Sequence, residues 1–441
     1  MSESAGTIAG GGRPLPGAGS GPEPSFLEAA ERIGARLARD AVWAGRRCTW
    51  IGATMDVVRG NWANVERTLG PDLYGGTSGV ALFLANLYKH TGEEIFRTTA
   101  EGALRQTAAR LDGMPAAILP SYYSGLSGIA HVCLAAADAL ERENLRRQAF
   151  DLLRRLRATE GTLEHVDLLG GVAGAIPVLI GAEALDPEGG WMELAAVYGD
   201  RIVDAAERRD GMASWGDPGQ PGNRHLMGFA HGASGIAWAL LELHAVTGTE
   251  RYLETAQEAL VYERSGFNAQ EGNWPDLRET PVDGEPREPG WMMAWCHGAP
   301  GIGLARLRAQ RLLDDPACRE EALAAIRSTT QAAEQALDSP YSNYSLCHGL
   351  GSYGELLLLA ADELGDARPR ELAERIGRHG IDAFERERIP WPGGTTGGGD
   401  APGLLLGNAG IGHFLLRLAD PSVPSVLLVT PEAVGAPSRR G

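Results

Sequence analysis

Two short segments place a cysteine and a histidine side by side ahead of a glycine. They are AWCHGAPG, with Cys296, His297 and Gly298, and SLCHGLGSYG, with Cys347, His348 and Gly349. Thiolate and imidazole are the ligands that zinc prefers. Neighbours on a regular helix diverge by about 100°, so both members of a Cys-His pair reach one point only from a loop. Spacing alone leaves three readings open. Four ligands would make a closed structural site, whereas two cysteines and one histidine would leave a fourth position open for catalysis. In the third reading the cysteines are small buried apolar residues. A further segment, MGFAHGASG, sets His231 at the same place before its glycine, and VDLLGGVAG sets Asp167 four residues before Gly171. Asp167 reads either as a plain N-cap or loop residue or as the group that orients and charges His231 as an acid/base. The remaining histidines lie within helical runs or charged stretches. Cys48, Cys133 and Cys318 lack a neighbouring ligand and read as structural.

The elements that must position these residues repeat. A Gly-x-x-Gly pair followed at once by an apolar run occurs at Gly76/Gly79, Gly125/Gly128, Gly171/Gly174, Gly232/Gly235, Gly298/Gly301 and Gly407/Gly410, with a looser copy starting at Gly349. Between copies lie charged stretches with helical spacing, such as ERYLETAQEALVYERSGF, where Tyr252, Ala256, Ala259 and Leu260 share a stripe. Each repeat reads as a hairpin: an amphipathic outer helix, a loop, then the glycine pair and a helix apolar almost all round. Convincing alternating strands are absent. Helices apolar on every side must be surrounded by protein, and seven pairs achieve that by closing into an inner barrel within an outer one. An open solenoid is the alternative. Closure is favoured because neither the first nor the last inner run looks like a polar cap. Glycine before a helix allows positive φ and close backbone approach. The repeats are therefore expected to gather seven helix N-termini at one mouth, where unpaired N–H groups and helix dipoles favour anions such as a thiolate or an enolate.

Composition narrows the function. The 441 residues carry a net charge of −17, which argues against nucleic acid as a partner because phosphate binding needs a basic face. No apolar stretch reaches the roughly 18 to 20 residues of a membrane span, and the start of the chain lacks a signal-peptide pattern. Five scattered cysteines form no disulfide framework, which fits a reducing cytoplasm. Lys89 is the only lysine and has no glycine-rich setting, so P-loop and kinase-type phosphate chemistry are excluded. Residues 1–24, rich in Gly, Pro and Ser, are expected to be disordered. A domain is expected over 25–430, beginning with an amphipathic helix near Ser25, and a flexible tail over 431–441.

Together, the glycine-pair hairpins and the segments GFAHG, WCHG and LCHG resemble the lanthionine synthetase C-like (LanC-like) cyclase family. The likeness is greatest to the C-terminal cyclase domain of the bifunctional LanM synthetases, whose ends read much like PGLLLGNAGIGHFLLRLADPSVPSVLL. The resemblance implies an all-α fold, an α/α toroid (a double barrel of seven hairpins, about 14 helices) with one catalytic zinc ion per chain. It implies Cys296, Cys347 and His348 as metal ligands, and His231 and Asp167 as the catalytic pair. It gives His297 no ligand role. The implied activity is closure of lanthionine or methyllanthionine thioether rings by addition of precursor-peptide cysteines to dehydroalanine or dehydrobutyrine. The implied partners are a dehydrated ribosomal precursor peptide and a separate dehydratase acting in trans, since no dehydratase domain precedes the cyclase. The sequence departs from the pattern at Ser352, where a glycine is expected. The alternatives are a noncatalytic peptide-binding or scaffold member of the fold, and another zinc-dependent α/α barrel such as a prenyltransferase subunit. The low aromatic content of 6% weighs against the latter.

Overall fold

The computed structural model describes residues 24–435 except 59–60, 159–164, 218–222, 279–287, 341 and 396–400. Residues 1–23 and 436–441, where disorder and flexibility were expected, lie outside the described residues.

The seven apolar runs after the glycine pairs form an inner ring of helices: α2 (Thr77–Thr91), α4 (Leu126–Ala139), α6 (Ala175–Leu185), α8 (Ala233–Thr247), α10 (Ala299–Leu313), α12 (Leu350–Leu364) and α14 (Asn408–Ala419). Each packs on the next, and α14 packs back on α2. The outer layer comprises α1 (Phe26–Asp40), α3 (Glu94–Ala108), α5 (Glu143–Leu156), α7 (Trp191–Asp204), α9 (Glu250–Ser265), α11 (Pro316–Leu337) and α13 (Ala367–Gly380). The fold is an α/α toroid, as expected. Outer helices bury a single stripe. In α9 it is Tyr252, Thr255, Ala256, Ala259, Leu260 and Glu263, and in α1 it follows a capping box between Ser25 and Glu28.

The hairpins are phased differently from the sequence reading. Each inner helix packs on the outer helix that follows it, across a tight turn. Gly92 and Gly248, for example, adopt the left-handed conformation that ends α2 and α8. The outer helix left over at the start, α1, packs on the last inner helix, α14, and so completes the ring.

Three two-stranded antiparallel hairpins, which the sequence reading had not found, interrupt the helices: β1 (Val42–Ala44) with β2 (Arg47–Thr49), β3 (Ile51–Val58) with β4 (Asn61–Thr68), and β5 (Glu207–Arg209) with β6 (Met212–Ser214). β2 packs on α3 and β6 on α9, but β1, β2, β5 and β6 are three residues each, too short for an alternation of apolar residues to show. Residues 431–435, expected in the flexible tail, instead form a short helix, α15 (Pro431–Gly435), against α6. Val434 is buried there because Gly181 lets the two backbones approach: a Cβ on Gly181 would lie 2.7 Å from the Pro431 carbonyl oxygen.

The inner helices are not wholly apolar. Arg306 of α10 and Glu263 of α9 are fully buried with their charged groups 2.9 Å apart, and Arg306 also pairs with Glu321. Glu263 uses its other oxygen to accept the Gly228 N–H at 2.8 Å, which pins the loop carrying His231. Truncating Glu263 leaves Arg306 with Glu321 as its remaining carboxylate and the Gly228 N–H without its acceptor. Glu263→Ala is therefore expected to lower unfolding stability by about 1–3 kcal/mol, measured by denaturant titration.

Candidate active site

The loops ahead of the inner helices are joined in sequence around the mouth of the toroid. The N–H of Leu169 donates to the Ala230 carbonyl, Ala230 to Cys296, Trp295 to Cys347, Cys347 to Leu405, Leu405 to Tyr74 and Tyr74 to Tyr123, at 2.8–3.3 Å. The glycine pairs make this approach possible. A Cβ on Gly128, Gly301 or Gly410 would sit 1.7, 1.9 or 1.8 Å from the carbonyl oxygen six residues earlier. Close approach is thus the general requirement, and among the N-cap glycines of the inner helices only Gly298 has a positive φ. Ser352 is accommodated in the displaced copy by donating its hydroxyl to the Gly349 carbonyl at 2.7 Å.

The first of the expected donors is engaged at six of the helix starts. The first N–H of α2, α4, α8, α12 and α14 donates to its own loop, at the carbonyls of Gly70, Leu119, Leu226, Asn343 and Ala401. That of α10 donates to the Asn273 side chain at 2.8 Å. The dipoles remain, but the leading donors are spent on the loops.

A cavity of 610 Å³ opens at this mouth, and Cys296, Cys347, His348, His231 and His297 all line it. Asp167, set back from it, holds His231 Nδ1 at 2.8 Å with one carboxylate oxygen. Its other oxygen accepts the Gly170 N–H at 2.7 Å. An acceptor on Nδ1 fixes the proton there and leaves Nε2 for exchange. Burial disfavours both charged forms, yet the pairing outweighs it, so Asp167 lies below the usual carboxylate range and His231 above the usual imidazole value.

The neighbouring Cys347 thiol lowers Cys296, while the neighbouring Cys296 and burial hold Cys347 far above an ordinary thiol, with the Tyr74 hydroxyl acting the other way. The two thiols therefore titrate as a pair. His348 Nε2 donates to the Gly394 carbonyl at 2.8 Å, which leaves the lone pair on Nδ1. A carbonyl partner on the far nitrogen is the usual orientation of a metal-ligating histidine. Two adjoining sulfurs and an imidazole of fixed tautomer are a donor set suited to zinc. Among the described residues, no three His, Cys, Asp or Glu side chains are drawn together closely enough to make a ready-formed metal centre.

His297 is buried, its ring stacked on that of His231 with centroids 5.9 Å apart. Burial, then the charge of Arg278, push it down to about 4. Cys48, Cys133 and Cys318 are buried elsewhere and pushed up to about 12, as inert structural thiols should be.

Sequence reasoning missed Tyr74, Asp72 and Arg278, which also line the cavity. Superposing the repeats would have found the first two. Tyr74 stands five residues before Gly79, as Cys296 stands before Gly301, and PDLYGG matches VDLLGG with Asp72 for Asp167. Asp72 accepts the Gly75 N–H at 2.8 Å, as Asp167 does that of Gly170. Arg278 comes from the excursion between α9 and α10, outside the repeat.

Comparison with known proteins bears on the family and the fold. The family profile of the lanthionine synthetase C-like protein matches residues 67–428. The chain belongs to the lanthionine synthetase C-like family. Among solved structures, a nisin cyclase is similar over 92% of this chain and 96% of its own, with a TM-score of 0.61 and 18% identity, a likeness of fold. A glycoside hydrolase family 76 mannosidase from Bacteroides thetaiotaomicron overlays more loosely, over 89% of this chain and 98% of its own, with a TM-score of 0.46 and 12% identity.

The Asp167–His231 contact has a signed consequence. Removing the carboxylate leaves burial as the main influence on the imidazole, and burial lowers its pKa. In Asp167→Asn the His231 ring, followed by NMR, should titrate below the ordinary value of about 6.5, whereas in the parent protein it titrates above it. Stability from the pair is present between the two folded-state values. It is lost as pH falls through that of Asp167 and as pH rises through that of His231.

Proposed function

We propose that this protein is a zinc-dependent lanthipeptide cyclase that closes (methyl)lanthionine thioether rings in a ribosomal precursor peptide. The observation that carries the reading is the meeting, in one cavity of a LanC-like chain, of a paired-thiol and imidazole donor set with a separate carboxylate-armed histidine. Cys296, Cys347 and His348 would hold one zinc ion, which supplies a substrate thiol kept as thiolate at neutral pH. A free thiol of pKa about 8.5 is only a few per cent ionised at pH 7. Full ionisation therefore raises the reactive form about 30-fold, roughly 2 kcal/mol.

The substrate sulfur adds to the β-carbon of dehydroalanine or dehydrobutyrine, the C=C π pair moves toward the carbonyl oxygen, and the α-carbon then takes a proton. His231 is suited to that last step. Asp167 holds Nδ1–H and favours the imidazolium, so Nε2–H is available as a donor over a wider pH range than in a free imidazole. The neutral ring recovers its proton from the pool released by the substrate thiol. The substrate arrives already dehydrated, from a dehydratase acting in trans, and the reaction belongs in a reducing cytoplasm where precursor thiols stay free. No helix among the described residues is long and apolar enough to cross a membrane.

Incubation with dehydrated candidate precursors, with free thiols counted by alkylation and mass spectrometry, tests the reading. Cys347→Ala should lose bound zinc and leave the precursor thiols alkylatable. His231→Ala should keep zinc and yield uncyclised or partly cyclised peptide. Full zinc content with complete ring closure in Cys347→Ala would overturn the ligand assignment.

A further inference from the structure

We infer that Arg278 is the group that receives the negative charge developing on the substrate carbonyl oxygen, a role the sequence had given to the helix N-termini. The inference rests on the cyclase reading and names a reacting-site residue outside the repeat pattern. Two observations carry it. The first N–H of each of six inner helices is already bonded to its own loop or to Asn273, so these donors are not free for a substrate oxygen. Arg278 lines the cavity, and it is held for the purpose. Its Nε donates to one Asp276 oxygen at 2.9 Å and its Nη2 to the other at 2.6 Å. The Asp276 backbone is fastened in turn to the Gly290 carbonyl at 2.8 Å. This fork fixes the guanidinium plane from one side, and Nη1 has no partner among the described residues.

Arg278 also shares the cavity wall with Cys296, Cys347, His348, His231 and His297. As the sulfur–carbon bond forms and the C=C π bond breaks, the electron pair settles on the carbonyl oxygen. A preorganised cation facing that oxygen stabilises the charge more than the neutral ground state. Protonation of the α-carbon by His231 then returns the oxygen to a neutral carbonyl, with Arg278 unchanged.

Arg278→Gln and Arg278→Lys, each loaded with zinc, test this against a merely charge-balancing role. Arg278→Gln is expected to keep bound zinc and KM while kcat for ring closure falls about 100-fold or more. Arg278→Lys should recover part of the loss by restoring charge without the fork. Loss of zinc in step with activity, or unchanged kcat, would overturn the inference. A second arm needs no turnover: NMR titration with 2-acetamidoacrylate, an anion, and with its neutral methylamide. The parent protein should prefer the anion, and Arg278→Gln should bind the two alike. An anion preference that survives in Arg278→Gln defeats the assignment, even if no ring closure is seen in the parent. Absence of ring closure alone counts against the cyclase reading.

Discussion

The backbone hydrogen bonds that run from loop to loop around the toroid mouth are the constraint on which the site depends. Each is made by an amide and a carbonyl that are withdrawn from bulk water and would be costly to leave unpaired. Because Leu169, Ala230, Trp295, Cys347, Leu405 and Tyr74 all donate to the following loop, no loop can shift without straining the next. The glycine pairs follow from this. The carbonyl of Trp295 passes where a Cβ on Gly301 would stand, so a side chain there would push on the segment that carries Cys296. Glycine serves the loops first and the helices second.

A symmetric scaffold of this kind separates support from chemistry. The bridging residue and the one after it face the cavity in repeat after repeat: Tyr74 and Gly75, Cys296 and His297, Cys347 and His348, with Leu169, His231 and Leu406 from their own loops. Changing these side chains leaves the backbone ladder intact, so the scaffold can carry a thiol in two loops, an imidazole in three and a phenol in another. The thiols of Cys296 and Cys347 pair because their loops are neighbours, and Asp167 reaches His231 for the same reason.

Sequence legibility followed the same division. The seven inner helices and the convergence of Cys296, Cys347, His348 and His231 could be read because each repeats a local pattern, glycine spacing followed by an apolar run. The pairing of hairpins could not, because helical periodicity shows which face is buried and not against which neighbour. α1 resembles every other outer helix, yet it packs on α14. The strand pairs β1–β6 escaped notice because four of the six strands are three residues long, too short for an alternating pattern to show. Asp72 and Tyr74 were legible in principle by superposing the repeats. Arg278 was not, since its position is set by Asp276 and by a backbone bond to Gly290, contacts that leave no periodic trace.

His297 accounts for how the thiol pair and the proton-donating pair coexist in one cavity. Its ring stacks on that of His231 with centroids 5.9 Å apart and planes 25° from parallel, and two imidazolium rings so placed would repel. Burial and the Arg278 charge hold His297 down to about 4, so a proton taken up by the stack goes to the ring that Asp167 supports. That arrangement assigns the proton to one histidine without removing the other. The Cys-His doublet at 296–297 thus differs in kind from that at 347–348. In the first the histidine settles where the proton resides, and in the second the carbonyl of Gly394 holds one ring nitrogen and leaves the lone pair on the other.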